Sequence, residues 1–157
     1  MHFYDDGDLL QALEANDPPG SIRDQQGAMI ADVLAAGQRA LKKLDLYNWG
    51  VGAEGAAAIG RAAALNTTLE EISFGEKQSG KIMIGDDGVA GIAEGLAKSQ
   101  SLKALVLRDC GIMATGASAL GAALEQSRTL EKLSIKYNKI SDVGAASVAK
   151  VWPIARE

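Results

Sequence analysis

Residues 130–152 read LEKLSIKYNKISDVGAASVAKVW, and this stretch decides the fold because it combines two apolar periods. Its first half places Leu133 and Ile135 two positions apart, which is typical of a short strand with one buried face. Its second half repeats apolar residues about every fourth position around Gly144, which is typical of a helix. The stretch therefore predicts a strand, a tight loop and a helix.

The same pattern occurs four times along the chain. The copies begin at Leu41, Leu69, Leu102 and Leu130, so that successive starts lie 28, 33 and 28 residues apart. In each copy an apolar residue, a glycine and a second apolar residue follow at intervals of four: Val51, Gly55, Ile59; Ile84, Gly88, Ile92; Ile112, Gly116, Leu120; Ile140, Gly144, Val148. Because one such unit cannot bury both of its faces alone, we predict that the copies stack into a solenoid.

Small residues mark the predicted helices. An Ala or Gly directly follows the second apolar residue of each copy: Gly60, Ala93, Gly121 and Ala149. We interpret this as a narrow stripe of small residues that lies against the sheet, and we interpret the glycine at the start of each helix in the same way.

One domain is predicted, with an irregular first part. Residues 1–40 are predicted to form an N-terminal cap with a short helix and a degenerate repeat, and residues 41–157 the four repeats. Pro153 is expected to interrupt the last helix. Either Trp152 with the C-terminal residues or another chain could then close the end of the core.

The composition favours a cytoplasmic, intracellular protein without a nucleic-acid or membrane partner. A net charge of −4 argues against a general basic face. No apolar stretch reaches membrane-spanning length, and the first residues lack the pattern of a secretion signal. The single cysteine, Cys110, excludes an internal disulfide and suits a reducing compartment.

The four copies resemble leucine-rich repeats, pattern L-x-x-L-x-L-x-x-N/C-x-I/L, and in particular the 28-residue ribonuclease-inhibitor-like class. The string YNKISDVGA at residues 137–145 is nearly a family consensus. Cys110 and Asn138 occupy the N/C position, where the family's side chain bonds the backbone of a neighbouring loop. Trp49 takes that position in the first repeat, so this loop cannot form the usual bond.

The second repeat departs from the pattern through five extra residues between its strand and its helix. We predict that residues 75–84 form a small flap or hairpin at one rim, with Ile82, Met83 and Ile84 packed beneath it.

The resemblance implies an α/β solenoid shaped as a short horseshoe, with a parallel sheet on the concave face and helices on the convex face. It also implies a non-enzymatic scaffold that binds another protein through the concave face. Regulation of a small GTPase, in the manner of a GTPase-activating protein, is the alternative. A structural subunit of a larger complex, associating end to end through open solenoid ends, is a further possibility.

The predicted partner-binding residues are the outward strand positions and the residues directly after them. They are Lys43, Asp45, Tyr47, Asn48, Glu71, Ser73, Val106, Arg108, Asp109, Lys132, Ser134, Lys136 and Tyr137, with Gly75, Glu76 and Ala104 at equivalent positions. Tyrosine and arginine are the residue types that most often anchor an interface.

Gly50, Gly52 and Gly55 fit the G-x-G-x-x-G pattern of a dinucleotide-binding loop, after a predicted strand and before a predicted helix. The equivalent loops of the other repeats share only the last glycine in our alignment. We therefore interpret Gly55 as structural and the other two glycines as particular to the first repeat, and we predict no cofactor.

The remaining chemistry-bearing residues are also interpreted structurally, so that no catalytic residue and no metal site are predicted. His2, the only histidine, lies in an N-terminal segment that we expect to be mobile, so we predict no Ser-His-Asp triad and no histidine-based metal site. Cys110 is predicted to be buried in its loop. Asp86 and Asp87 are expected at a helix N-terminus, which favours negative charge. The sequon that begins at Asn66 is expected to form a turn between helix and strand.

Overall fold

The computed structural model describes residues 24–37, 41–75 and 84–151. Helices and strands alternate along them: α1 (Asp24–Ala36), β1 (Lys43–Tyr47), α2 (Ala53–Ala63), β2 (Glu71–Gly75), α3 (Gly85–Lys98), β3 (Ala104–Arg108), α4 (Ala114–Gln126), β4 (Lys132–Ser134) and α5 (Ser141–Val151). The predicted first helix, most of the predicted flap, His2 and the effect of Pro153 lie outside the described residues.

The four strands form one parallel sheet in the order β1-β2-β3-β4. The register places equivalent positions of successive repeats side by side, so that Leu44 lies opposite Ile72, Ile72 opposite Leu105, and Leu105 opposite Leu133. The predicted α/β leucine-rich-repeat solenoid with a parallel sheet is confirmed. We call the sheet face away from the helices the concave face.

The core lies between the sheet and the helices. The inward strand residues Leu44, Leu46 and Phe74 are at most 1% exposed, and the helix residue Ile59 is fully buried. Burying a side chain of this size contributes about 1.5–3 kcal/mol, so the repeated apolar columns account for the stacking of otherwise unstable units.

The stripe of small residues faces the neighbouring helix, and its predicted contact with the sheet is wrong. A Cβ added to Gly60 would lie 2.8 Å from the backbone nitrogen of Ile92, and one added to Gly121 would lie 2.7 Å from the carbonyl oxygen of Ser147. The physical reason is crowding: strands are ~4.8 Å apart, whereas a helix with its side chains is ~10 Å wide. Successive helices can therefore follow the strands only where small residues let their backbones approach.

The glycine near the start of a helix likewise permits close approach, in this case to the preceding helix. A Cβ on Gly116 would lie 2.5 Å from Oδ1 of Asp86, and one on Gly144 would lie 2.8 Å from the Cβ of Ala117. The helix layer, rather than the sheet, therefore imposes the repeated glycine.

Two loop glycines occupy equivalent positions, which corrects the interpretation of Gly50 as particular to the first repeat. Gly50 has φ +66° and Gly111, in the same column of the third repeat, has φ +71°. Both adopt the left-handed conformation that glycine tolerates without strain. The first and third repeats thus share this glycine, and Gly52, at φ −78°, has no such requirement.

Asn138 forms the loop bond that the family resemblance predicts. Its Oδ1 accepts from the backbone nitrogens of Cys110 at 3.0 Å and Ile112 at 3.1 Å, and its Nδ2 donates to the carbonyl oxygens of Leu107 and Ile135 at 2.7 and 2.9 Å. One side chain therefore ties the loops of the third and fourth repeats together.

Replacing Asn138 with alanine is expected to lower the free energy of unfolding by about 2–3 kcal/mol, because it leaves several backbone groups without partners. Equilibrium urea denaturation would measure the loss. Asn138→Cys is the matched comparison, since Cys110 occupies the same column, and we expect it to cost less than the alanine variant. Equal losses for both would contradict a bonding role for this column.

Candidate partner-binding site

The strand register brings the predicted binding residues into three rows across the concave face. The first row is Lys43, Glu71, Ala104 and Lys132; the second is Asp45, Ser73, Val106 and Ser134; the third is Tyr47, Gly75 and Arg108. Neighbours within a row lie on adjacent strands ~4.8 Å apart. Residues that are some 30 positions apart in the chain thus form one surface.

The charges of the first row and of the residues beside it largely pair with one another. Lys43 Nζ lies 3.0 Å from Glu71 Oε1, and the hydrogen bond to Glu71 raises the pKa of the Lys43 ammonium. Glu70 lies between Lys103 at 2.9 Å and Lys42 at 3.5 Å. Lysine and glutamate alternate at equivalent positions of successive repeats, as in Lys42, Glu70 and Lys103. This pattern indicates the ion pairs, although the sequence analysis did not predict them.

The hydrogen bond from Lys103 is the main cause that lowers the pKa of Glu70 from its ordinary 4.5. A lowered folded pKa means that the interaction stabilises the protein above the ordinary value and that the stabilisation is lost as pH falls through the folded value. The carboxylate is exposed to solvent, so the effect on stability is small.

The second row presents little to a partner. Ser73 is only 8% exposed, and Val106 and Ser134 are half-buried. The Asp45 Oδ1 accepts a hydrogen bond from the backbone nitrogen of Tyr47 at 3.1 Å, so this carboxylate also supports the end of its own strand. Of the predicted binding residues, Ser73 is therefore the least accessible.

The third row and the turns after it hold the aromatic and guanidinium groups. A Cβ added to Gly75 would lie 2.7 Å from Cδ2 of Tyr47, so the tyrosine ring occupies the space left by the missing side chain. The Arg108 Cζ lies 4.7 Å from the centroid of the Tyr137 ring, and Tyr137 is 69% exposed. Two rings and a stacked cation therefore mark the end of the sheet where the strands terminate.

The turn residues after the strands share a backbone conformation that the sequence did not reveal. Asn48, Asp109 and Tyr137 occupy equivalent positions and have φ values of +64°, +52° and +61°. The backbone nitrogen of Asn48 donates to Gly75 O at 2.8 Å, and that of Asp109 donates to Lys136 O at 3.0 Å. These hydrogen bonds to the next repeat hold the side chains at the rim of the concave face.

Positive charge is concentrated on the third and fourth repeats. Arg108, Lys132 and Lys136 are exposed, and the ion pairs among the described residues involve none of them. The acidic residues beside them are the half-buried Asp109 and the exposed Glu131. Among these five side chains the three cations outnumber the two carboxylates, although the whole chain has a net charge of −4.

The described residues contain neither a cluster of metal ligands nor a membrane-spanning helix. No group of three or more His, Cys, Asp or Glu in this part of the chain could hold a metal ion. None of the described helices is both long and apolar enough to cross a membrane. Cys110 is 2% exposed, which confirms its predicted burial, and Asn66 bonds Leu34 O and the nitrogens of Thr68 and Leu69 within the predicted turn.

Comparison with known proteins identifies the repeats. A family model described as Leucine Rich repeat matches residues 98–121 and 126–149. The ribonuclease inhibitor of Sus scrofa is 33% identical over 141 residues, which cover 74% of this chain and 31% of the inhibitor. The centrosomal protein of 78 kDa of Mus musculus is 43% identical over 60 residues, covering 38% of this chain and 8% of that protein. The chain thus spans less than a third of the length of these relatives.

Solved structures share the architecture at low sequence identity. The actin-binding site 2 structure of leiomodin-1 superposes with a TM-score of 0.64 at 18% identity and covers 78% of this chain and 69% of its own. The yeast complex of Rad7 and Elc1 superposes with a TM-score of 0.58 at 14% identity, over 93% of this chain and 32% of the other. At these identities the likeness shows the fold alone.

Proposed function

Because the chain is a leucine-rich-repeat protein of the ribonuclease-inhibitor-like class, we propose that it is a non-enzymatic scaffold that binds another protein through its concave face. Proteins of this family act in general as protein-interaction scaffolds. The observation that carries the proposal is the third row with the turn after β4, where Tyr47, Arg108 and Tyr137 lie at one rim of the sheet.

The geometry of this rim suits recognition in two ways. Tyrosine and arginine supply most of the binding energy at interface hot spots. They are held in place here, since Tyr47 packs over Gly75 and Arg108 stacks on Tyr137. Side chains already ordered in the free protein lose little entropy on association, which favours affinity.

Charge reversal at Arg108 and Lys136 together is expected to weaken partner binding at least about 30-fold, with thermal stability nearly unchanged. The natural partner is first identified by cross-linking it to a photoreactive residue that replaces Tyr137. The affinity of the purified partner for the unmodified protein and for each charge-reversal variant is then measured by titration. Asp45 is left intact because its carboxylate accepts a hydrogen bond from its own strand.

The matched control is charge reversal at Arg61 and Lys98, two exposed cations on the helices. We expect these variants to bind as the unmodified protein does. If binding survives reversal at Arg108 and Lys136, or is lost equally in the control, the concave face is not the recognition surface.

The alternative roles stay predictions. Regulation of a small GTPase would be tested by measuring GTP hydrolysis with and without the protein, and no acceleration would remove it. A role as a structural subunit of a larger complex depends on the ends of the solenoid rather than on its concave face.

A further inference from the structure

The second row of the concave face lies lower than the rows on either side of it. Its side chains are short and are buried or half-buried: Asp45, Ser73, Val106 and Ser134. The first and third rows carry longer side chains. Lys136 continues the third row on the fourth repeat, where its carbonyl oxygen accepts a hydrogen bond from the backbone nitrogen of Asp109 at 3.0 Å. We call this surface the concave trough, with the second row as its floor and the first and third rows as its walls.

Both walls are held in place in the free protein. In the first row the Lys43 Nζ lies 3.0 Å from Glu71 Oε1. In the third row the Tyr47 ring fills the space over Gly75, and Arg108 stacks on the ring of Tyr137. The trough therefore exists before a partner binds, which lowers the entropic cost of association.

The dimensions of the trough match those of an α-helix. The first and third rows are four residues apart along each strand, a distance of ~13 Å, and a helix with its side chains is ~10–12 Å wide. From β1 to β4 the trough spans three strand spacings, or ~14 Å. About ten helical residues, nearly three turns, cover that length.

The floor favours a helix over an extended segment because it cannot bond a partner's backbone. The backbone of the four strands is already paired within the sheet. The side chains of Ser73 and Ser134 offer only two hydroxyl groups, and the Asp45 carboxylate accepts a hydrogen bond from its own strand. An extended segment on this floor would lose water without gaining hydrogen-bond partners, whereas a helix satisfies its backbone groups internally.

Charge changes sign along the trough. The first two repeats contribute one cation and two carboxylates to the three rows: Lys43, Asp45 and Glu71. Among the described residues of the same rows, the last two repeats contribute three cations and no carboxylate: Arg108, Lys132 and Lys136. Asp109 and Glu131 lie in neighbouring columns. Because the C-terminal end of a helix carries partial negative charge, this gradient favours a helix whose C-terminus lies over β4.

We propose that the concave trough binds one amphipathic α-helix of the partner protein, about three turns long, with its C-terminal end over β4. This inference rests on the proposed function and specifies its partner. Carboxylates on one flank of the helix pair with Arg108 and Lys136, and small or apolar side chains on its underside contact Val106. The recognised element is thus an acidic helix that is bound along its length.

Cross-linking from the two ends of the trough tests both the helix and its direction. Lys43 and Lys132 are exposed in the first row, on the first and fourth strands. A photoreactive residue replaces each in turn in the full chain, and the cross-linked residues of the partner are mapped by mass spectrometry. We expect them in one segment about ten positions apart, with the residue cross-linked from position 132 nearer the C-terminus. An extended segment would place them about four positions apart.

Filling the floor tests the trough independently of its charge. Val106→Trp is expected to weaken partner binding at least about 30-fold because the indole occupies the space of the helix. Ala90→Trp, at an exposed position of α3, is the matched control and is expected to bind normally. Circular dichroism confirms that each variant is folded, and Ser134→Trp, at the neighbouring floor position, is expected to act as Val106→Trp does.

Three cross-linking results overturn the proposal: residues about four positions apart, residues in the reverse order, and residues in separate segments of the partner. Normal binding by folded Val106→Trp and Ser134→Trp variants also overturns it. If charge reversal at Arg108 and Lys136 still weakens binding in these cases, the concave face remains the recognition surface and only the helix is wrong. If charge reversal has no effect, the proposed function itself fails.

Discussion

Replacing Gly95 with alanine is expected to lower the free energy of unfolding by about 3 kcal/mol. The added Cβ would lie 2.5 Å from the carbonyl carbon of Gly60 and closer still to its oxygen. These are backbone atoms of the neighbouring helix α2, so relief requires the two helices to move apart. Helix propensity alone predicts the opposite sign, because alanine stabilises a helix by about 1 kcal/mol relative to glycine.

Equilibrium urea denaturation followed by circular dichroism would measure this loss. The matched control is Ala90→Leu, which adds a larger side chain to an exposed position of the same helix and should change stability by less than about 0.5 kcal/mol. A Gly95→Ala variant as stable as the unmodified chain would mean that α2 and α3 do not touch at this point.

The sequence predicted the positions of the apolar columns but not which neighbours they meet. A helical period identifies the face on which Gly60 and Gly121 lie, and both sheet and helix could cover such a face. The choice depends on the mismatch between strand spacing and helix width, which acts between repeats and leaves no pattern within one repeat. The hydrogen bond from the backbone nitrogen of Met113 to Asp86 Oδ1 also joins two repeats, and the sequence did not predict it for the same reason.

The candidate site was predictable in outline, because equal spacing between repeats forces equal register. Its details depend on three-dimensional fit. The ring of Tyr47 fills the space over Gly75, and Arg108 stacks on Tyr137, a residue from the next turn. The left-handed turns at Asn48, Asp109 and Tyr137 have no residue type in common, so the sequence did not predict them. Gly50 and Gly111 do share a column in the sequence, and the interpretation of Gly50 as particular to the first repeat was wrong.

Trp49 provides the second large effect. Replacing it with alanine is expected to lower the free energy of unfolding by about 4 kcal/mol, because the side chain is fully buried and its removal leaves a cavity. Urea denaturation monitored by circular dichroism would measure the loss without depending on tryptophan fluorescence. A loss below about 1 kcal/mol would contradict this expectation, because it would mean that the surrounding loops collapse into the space.

The nature of the substitution separates packing from hydrogen bonding at Trp49. The indole Nε1 is buried and donates no hydrogen bond to any described residue, so Trp49→Phe removes volume but no bond and is expected to cost less than about 2 kcal/mol. Trp49→Asn restores the residue type that bonds the loop at Asn138, yet it leaves a cavity and a buried amide, and it should cost about as much as alanine. If Trp49→Asn is instead the mildest of the three variants, this position of the first repeat acts through hydrogen bonding, as Asn138 does in the fourth, and not through apolar packing.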